Sequence, residues 1–225
     1  SYFLFSTFIM PIKECRLFRK LLSGGCIQIP GAYNGLVARS VAQNGFPAAY
    51  VSGAAVSAST GQPDIGLVTL DGFTSIIYDV ARSSGLPVIA DADTGFGEGE
   101  MLAKTVHEYF RAGASALHIE DQEFPKRCGH LDGKTLVSAE RMIDKIRIAR
   151  LASEECSEGE FIICARTDAA GVEGLDSAID RAKKYIDAGA DMIFPEGLKT
   201  PEDFQTVANE LRAHTGEEKK PFLLA

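Results

Sequence analysis

Cys128 lies in the run Lys126-Arg127-Cys128-Gly129-His130, where two cations and an imidazole flank a thiol. Positive neighbours favour the thiolate and lower a thiol's pKa. A thiol that titrates near neutrality can act as proton donor or nucleophile. Gly129 has no Cβ, so a ligand can come close to the backbone there. The same five residues also read as an exposed basic loop with an incidental cysteine, and composition alone leaves both readings open.

Acidic residues form the second group. Asp91-Ala92-Asp93-Thr94-Gly95 places two carboxylates two residues apart after an apolar run. Such a pair can share a hard cation such as Mg²⁺, which takes one or two carboxylates and completes its shell with water and substrate oxygens. Turn formation and helix capping are the alternative uses of the same aspartates. Glu120, Asp121 and Glu196 also follow apolar runs. Buried acids need a partner, and a metal–water network or a salt bridge would serve equally. Arg166 can bind a carboxylate through two parallel hydrogen bonds, or it can pair with Asp168 or Glu196. Tyr50, Ser52 and Gly53 could offer a hydroxyl and backbone donors to substrate oxygens, although strand packing and a turn explain them as well. His107 and His118 read as core or surface histidines, His214 as a solvated residue near a helix end, and the cysteines at 15, 26, 156 and 164, which sit in no basic constellation, as structural or incidental.

These residues need elements to carry them. Short apolar runs recur at 26–29, 48–52, 87–90, 116–119, 161–165, 192–194 and 222–225, bounded by Gly or Pro. Continuous apolar runs of this length are the pattern of buried parallel strands. Helical spacing fills the gaps, as in Leu175, Ala178, Ile179, Ala182, Tyr185 and Ile186. Ser138 and Thr200 are expected helix N-caps, the latter followed by Pro201. Ala112-Gly113-Ala114 and Ala188-Gly189-Ala190 each lead from a helix into a strand, and Gly there permits a left-handed helix end.

Repeated βα units suggest a (β/α)8 barrel or a doubly wound sheet. The polar residues at successive strand ends favour the barrel, where they would share one mouth. No G-x-G-x-x-G follows the first strand, which weakens a dinucleotide-binding reading. The expectation is therefore one (β/α)8 TIM barrel domain over 1–225, truncated after its seventh strand. The missing unit would be roughly 50–70 residues. Residues 1–9 are apolar and uncharged. They read either as translated upstream sequence before a start at Met10 or as part of a targeting peptide.

Bulk properties narrow the function. The formal net charge is -8, from 23 basic and 31 acidic residues, which argues against nucleic acid as a partner. Five cysteines without a C-x-x-C pair argue against a disulfide framework or zinc ribbon. No run reaches the roughly 18 apolar residues of a membrane span.

In order along the chain, Asp91-Ala92-Asp93-Thr94-Gly95-Phe96-Gly97, His118-Ile119-Glu120-Asp121-Gln122, Lys126-Arg127-Cys128-Gly129-His130 and Ala165-Arg166-Thr167-Asp168 resemble the isocitrate lyase and phosphoenolpyruvate mutase superfamily. The resemblance runs from about Ile27 to the end of the chain. The K-R-C-G-H loop is its most specific element, since the mutase branch lacks it, and Lys-Arg before the cysteine is similar to the methylisocitrate lyase branch. That branch implies a barrel in a homotetramer, Mg²⁺, and cleavage of a small polycarboxylate, 2-methylisocitrate, to pyruvate and succinate in propionate breakdown. It implies Asp91 and Asp93 as metal ligands, with Glu120 in the metal's water shell. Ser52, Gly53 and Ala54 would contact the pyruvate part, and Gly129, Arg166 and Glu196 the rest of the substrate. Cys128 would protonate the succinate fragment, poised by Lys126 and His130, with Tyr50 as candidate base. Ala54 departs from the family's frequent Gly. The family's Asn-Met-Thr-like carboxylate-binding segment would follow Leu223-Leu224-Ala225. Rival readings are a related lyase or hydrolase acting on isocitrate, oxaloacetate or an alkylmalate, and a fragment that only binds ligand or partner subunits. The implied compartment is the cytoplasm, or the mitochondrial matrix for a eukaryotic source.

Overall fold

The computed structural model describes residues 11–129, 131, 133–216 and 221–225. The expectation for residues 1–10 and the role expected of His130 lie outside the described residues.

The elements follow in the order α1 (Ile12–Ser23), α2 (Gly35–Gln43), β1 (Ala49–Val51), α3 (Gly53–Ser59), α4 (Leu70–Ser84), β2 (Val88–Asp91), α5 (Glu100–Ala112) and β3 (Ala116–Glu120). They continue with α6 (Ala139–Ser157), β4 (Ile162–Thr167), α7 (Ala169–Val172), α8 (Leu175–Asp187), β5 (Met192–Pro195), α9 (Pro201–Thr215) and β6 (Phe222–Leu223). All strand pairs are parallel, and the sheet order is β1-β2-β3-β4-β5-β6. A doubly wound sheet reverses its order at a switch point. This sheet never does, so each helix returns the chain to the same side.

The first expected strand, 26–29, does not form. The chain instead touches the sheet just after this run, at Gly31. Tyr50 N–H donates to the Pro30 carbonyl at 2.9 Å, and Ala32 N–H donates to the Tyr50 carbonyl at 2.7 Å. Pro30 has no N–H to extend a ladder, and the contact remains a single parallel bridge at Gly31.

Capping follows the sequence closely. Ser138 accepts from Arg141 N–H at the start of α6. Thr200 and Asp203 form a reciprocal capping box at α9, with Pro201 in its first turn. Gly113 ends α5 in the left-handed conformation, with φ 103°.

Alternation along the strands divides the core in two. Ala49, Val51, Val88, Ala90, Leu117, Ile119, Ile163, Ala165 and Ile193 face the helices. Ala48, Ile89, Ala116, Ile162, Cys164 and Met192 fill the opposite, inner face, closed below by Phe18. Side chains alternate with a period of two. The inner parity therefore carries upward to Tyr50, Asp91, His118, Glu120, Arg166 and Phe194. Register sets these side by side: Asp91 pairs with His118, Glu120 with Arg166, and Arg166 with Phe194. Residues far apart in the chain thus reach one end of one face.

Candidate active site

Asp91 ends β2 fully inside the structure. Its Oδ2 accepts from Gly53 N–H at 3.0 Å and its Oδ1 from Asp93 N–H at 2.9 Å. Burial works against its charge, but these donors with Lys126 and Arg166 hold the carboxyl below the usual range. A Cβ on Gly53 would stand 2.7 Å from Asp91 Oδ2, so only glycine lets this backbone reach the carboxylate. Asp93 adopts φ 46°, a region a non-glycine residue holds only when its surroundings enforce it. Burial and the neighbouring Asp91 push its carboxyl up to about 6.

Glu120 ends β3 on the same face. It is completely buried, and neither carboxylate oxygen has a hydrogen-bond partner. Arg166 Nε stands 3.5 Å from its Oε2. Burial pushes this carboxyl well above the ordinary range, against the pull of Arg166. Lys126 brings an ammonium to the acids. It pairs with Asp64 and lies 2.7 Å from Asp93 Oδ1. Lys126, expected to poise Cys128, is thus engaged by two carboxylates.

His118 lies between Tyr50 and Asp91. Its Nε2 is 2.9 Å from the Tyr50 hydroxyl, and its Nδ1 is 3.6 Å from Asp91 Oδ1. Burial pushes the imidazole down to about 4, so it is uncharged at neutral pH. The countercharge of Asp91 therefore comes from Lys126 and Arg166. Burial and Asp91 push the Tyr50 hydroxyl well up, so a neutral phenol faces His118. Ser52 caps α3, accepting from Ala55 N–H at 3.4 Å, and Ala54 is exposed in its first turn.

Arg166, at the end of β4, binds Asp168 through two hydrogen bonds: Nε to Oδ2 at 3.0 Å and Nη2 to Oδ1 at 3.1 Å. Its Nη1 is 3.4 Å from Glu196 Oε2, and its guanidinium carbon lies 5.3 Å from the Phe194 ring centroid. Asp121 positions this group from behind. Its Oδ1 accepts from Asp168 N–H at 2.9 Å, and its Oδ2 from the hydroxyls of Thr167 and Tyr185 at 2.8 Å each. Arg181 Nη1 approaches the same oxygen at 3.4 Å.

The cysteine loop closes on this cluster. A Cβ on Gly129 would clash with Arg166 and fall 2.6 Å from Glu196 Cδ. The close backbone approach expected at Gly129 is made to these two side chains. Cys128, beside it, is half-buried. A cavity of about 580 Å³ lies against Gly129, Lys134, Phe194, Glu196 and Phe204. A second, of about 600 Å³, reaches Asp93 from the other side, past Thr94, Gln122 and Phe124.

Tyr50, Ser52, Gly53, Asp91, Asp93, Glu120, Lys126, Gly129, Arg166 and Glu196 thus all belong to one end of the sheet. Asp64, Lys134, Arg181 and Tyr185 were not singled out in the sequence. Asp64 sits in a Pro-Asp turn and Tyr185 in an amphipathic helix stripe, and neither position carries a chemical signal by itself.

Among the described residues no three His, Cys, Asp or Glu side chains converge into an all-protein metal cage. Mg²⁺ does not require one. Hard oxygen donors at Asp91 and Asp93, with the Glu120 carboxyl, which accepts no hydrogen bond, behind them, suit that ion.

The family model for phosphoenolpyruvate phosphomutase matches residues 18–216. The chain belongs to this family. It is 51% identical over 203 residues to a probable 2-methylisocitrate lyase of Corynebacterium glutamicum, covering 90% of this chain and 65% of that relative. This chain thus spans just under two thirds of that protein. The crystal structure of 2,3-dimethylmalate lyase superposes with a TM-score of 0.84 at 36% identity, covering 94% of this chain and 72% of that one. Phosphonopyruvate hydrolase in complex with oxalate and Mg²⁺ superposes with a TM-score of 0.78 at 33% identity, covering 87% and 68%.

Proposed function

We propose that this chain carries the site of a Mg²⁺-dependent carbon–carbon lyase that cleaves 2-methylisocitrate to pyruvate and succinate, in propionate breakdown by the methylcitrate cycle. One observation carries the reading: paired strand-end aspartates, a buried glutamate that accepts no hydrogen bond, a mouth-facing arginine and a cysteine loop meet at one end of a parallel sheet. The 51% identity to a probable 2-methylisocitrate lyase supports the choice of substrate. The unbroken strand order fits a (β/α)8 barrel, and the superfamily resemblance fits a homotetramer in the cytoplasm or mitochondrial matrix.

Asp91 and Asp93 would hold the Mg²⁺, with Glu120 accepting from its water shell. Mg²⁺ would polarise the substrate's hydroxyl and carboxylate oxygens. Arg166 and Glu196, with the backbone of Gly129, would orient the succinate part. Ser52, Gly53 and Ala54 would face the pyruvate part. For Tyr50 to take the hydroxyl proton it must pass its own to His118 Nε2, 2.9 Å away. The alkoxide then becomes the carbonyl of pyruvate, and the electrons of the broken C–C bond pass to the succinate fragment. Cys128 donates its proton to that carbon, with Lys126 and His130 as its basic neighbours.

The test supplies the protein with 2-methylisocitrate, isocitrate, 2,3-dimethylmalate and oxaloacetate in parallel. Product release is followed with Mg²⁺ and after chelation. The expected result is preferential pyruvate release from 2-methylisocitrate, abolished by chelation. Cys128→Ser should keep Mg²⁺ binding and lower kcat by about 10²–10⁴-fold, the range for a lost general acid. Preference for another acid would move the substrate within the superfamily, and wild-type turnover in Cys128→Ser would remove Cys128 from the chemistry.

A further inference from the structure

The structure assigns Lys134 as a positioning residue that latches the Cys128 loop to the Arg166 cluster. Lys134 lies on the returning limb of that loop, with its side chain only 6% exposed. Its ammonium donates to the Gly129 carbonyl, one residue from Cys128, and lies 3.3 Å from Asp168 Oδ1. Asp168 is the carboxylate that grips Arg166 through two hydrogen bonds. One side chain therefore ties the loop's tip to the group that orients Arg166. On the opposite side, the Gly129 backbone already rests against Arg166 and Glu196. The tip is held between Lys134 and those two residues, and this fixes where the Cys128 thiol stands relative to the guanidinium.

A lysine with this burial is not a solvated loop residue. Its charge needs a partner, and the partners chosen are one carbonyl of the loop and one carboxylate of the sheet end. Removing the ammonium cuts the contact that joins the Gly129 carbonyl to Asp168. The catalytic consequence rests on the lyase reading above, but the latch itself does not.

The experiment follows alkylation of Cys128 by iodoacetamide, residue by residue, by mass spectrometry of the whole chain. The pH-independent limiting rate is compared, so that a change in thiolate fraction does not enter. Lys134→Met keeps the length of the stem and removes the donor. The expected limiting rate at Cys128 rises about tenfold, as loss of one charge-assisted hydrogen bond frees local opening. Cys15 and Cys164, both fully buried, should stay protected. With substrate, kcat should fall by a similar factor while Mg²⁺ affinity holds. A Cys128 rate within about twofold of wild type, the size of a neutral surface change, would overturn the latch. If Lys134→Met also deprotects Cys15 and Cys164, Lys134→Gln is judged by the same criterion. Deprotection in both variants would make Lys134 a general stability residue and overturn the assignment. An inactive wild type with a fast-labelling Lys134→Met would refute the lyase reading and leave the latch standing.

Discussion

Asp121→Asn removes one oxygen acceptor from the hub beneath the site, and the cost can be worked from its partners. A carboxylate has about four acceptor positions on two oxygens. Asp121 uses them for Asp168 N–H, the Thr167 and Tyr185 hydroxyls and Arg181. An amide keeps one oxygen and adds an N–H₂ donor. The backbone N–H of Asp168 cannot reverse its role, so the amide oxygen must face it. The two hydroxyls can rotate and accept from the amide nitrogen. Arg181 cannot. It keeps Glu173 and the Val137 carbonyl, but it loses its buried countercharge. One broken charge contact and three weakened hydrogen bonds amount to about 2–4 kcal/mol. A domain holds only about 5–15 kcal/mol in total, and for a chain of this size the loss lowers Tm by about 5–15 °C. Urea denaturation at pH 7 measures it, with the slope against denaturant unchanged. Arg181→Met and the double variant complete a cycle in which the two effects are strongly non-additive. A loss under about 1 kcal/mol would refute the view that Asp121 is the charged anchor of the Asp168–Arg166 pair.

Three further predictions concern the mouth itself. Gly129→Ala drives a methyl group into Arg166 and Glu196. We expect overpacking of about 1–3 kcal/mol and a KM increase larger than any fall in kcat, read by steady-state kinetics. Saturating Mg²⁺, near 100 times its Kd, should stabilise the chain by about 2.7 kcal/mol, a Tm rise of about 5–10 °C. Glu120→Gln should leave the metal-free Tm unchanged or higher, because burial already favours the neutral acid there and neither of its oxygens accepts a hydrogen bond that the amide would lose. It should also weaken Mg²⁺ about tenfold, as for other outer-shell ligands. A Glu120→Gln variant with undiminished Mg²⁺ affinity would place Glu120 outside the metal's shell.

The strand ends were legible in the sequence because a parallel strand buried on both faces reads as an unbroken apolar run. The first polar residue after it is then conspicuous, as at Asp91, Glu120 and Arg166. The run at 26–29 misled for the same reason: it is apolar, but Pro30 leaves the ladder without a donor. The contacts between elements were not legible. Asp64 meets Lys126 across 62 positions, and Tyr185 meets Asp121 across 64. Neither spacing reflects any local period. Lys134 in a glycine-flanked loop looks solvated until the loop folds back on Asp168. His118 reads from the sequence as either a core or a surface histidine, and it is buried and uncharged. Its position between Tyr50 and Asp91 depends on the register of three strands, which apolar patterning does not specify.

Among the described residues of this mouth, acids crowd together more densely than bases. Asp64, Asp91, Asp93, Glu120 and Asp168 meet Lys126, Lys134 and Arg166 there. Carboxylates outnumber cations among these residues. Protonation can relieve part of the excess, and Glu120, pushed well up by burial, is the group that takes it. Asp93 cannot contribute much at neutral pH. With its carboxyl at about 6, it remains about 90% ionised one pH unit higher. A polycarboxylate approaching Arg166 would therefore meet a guanidinium already matched by Asp168 and Glu196, beside acids that repel it. A divalent ion at Asp91 and Asp93 would reverse the sign of that approach without disturbing the Arg166 pairs. Burial is the first cause of the raised carboxyls of both Asp93 and Glu120, and a cation bound beside them would offset it.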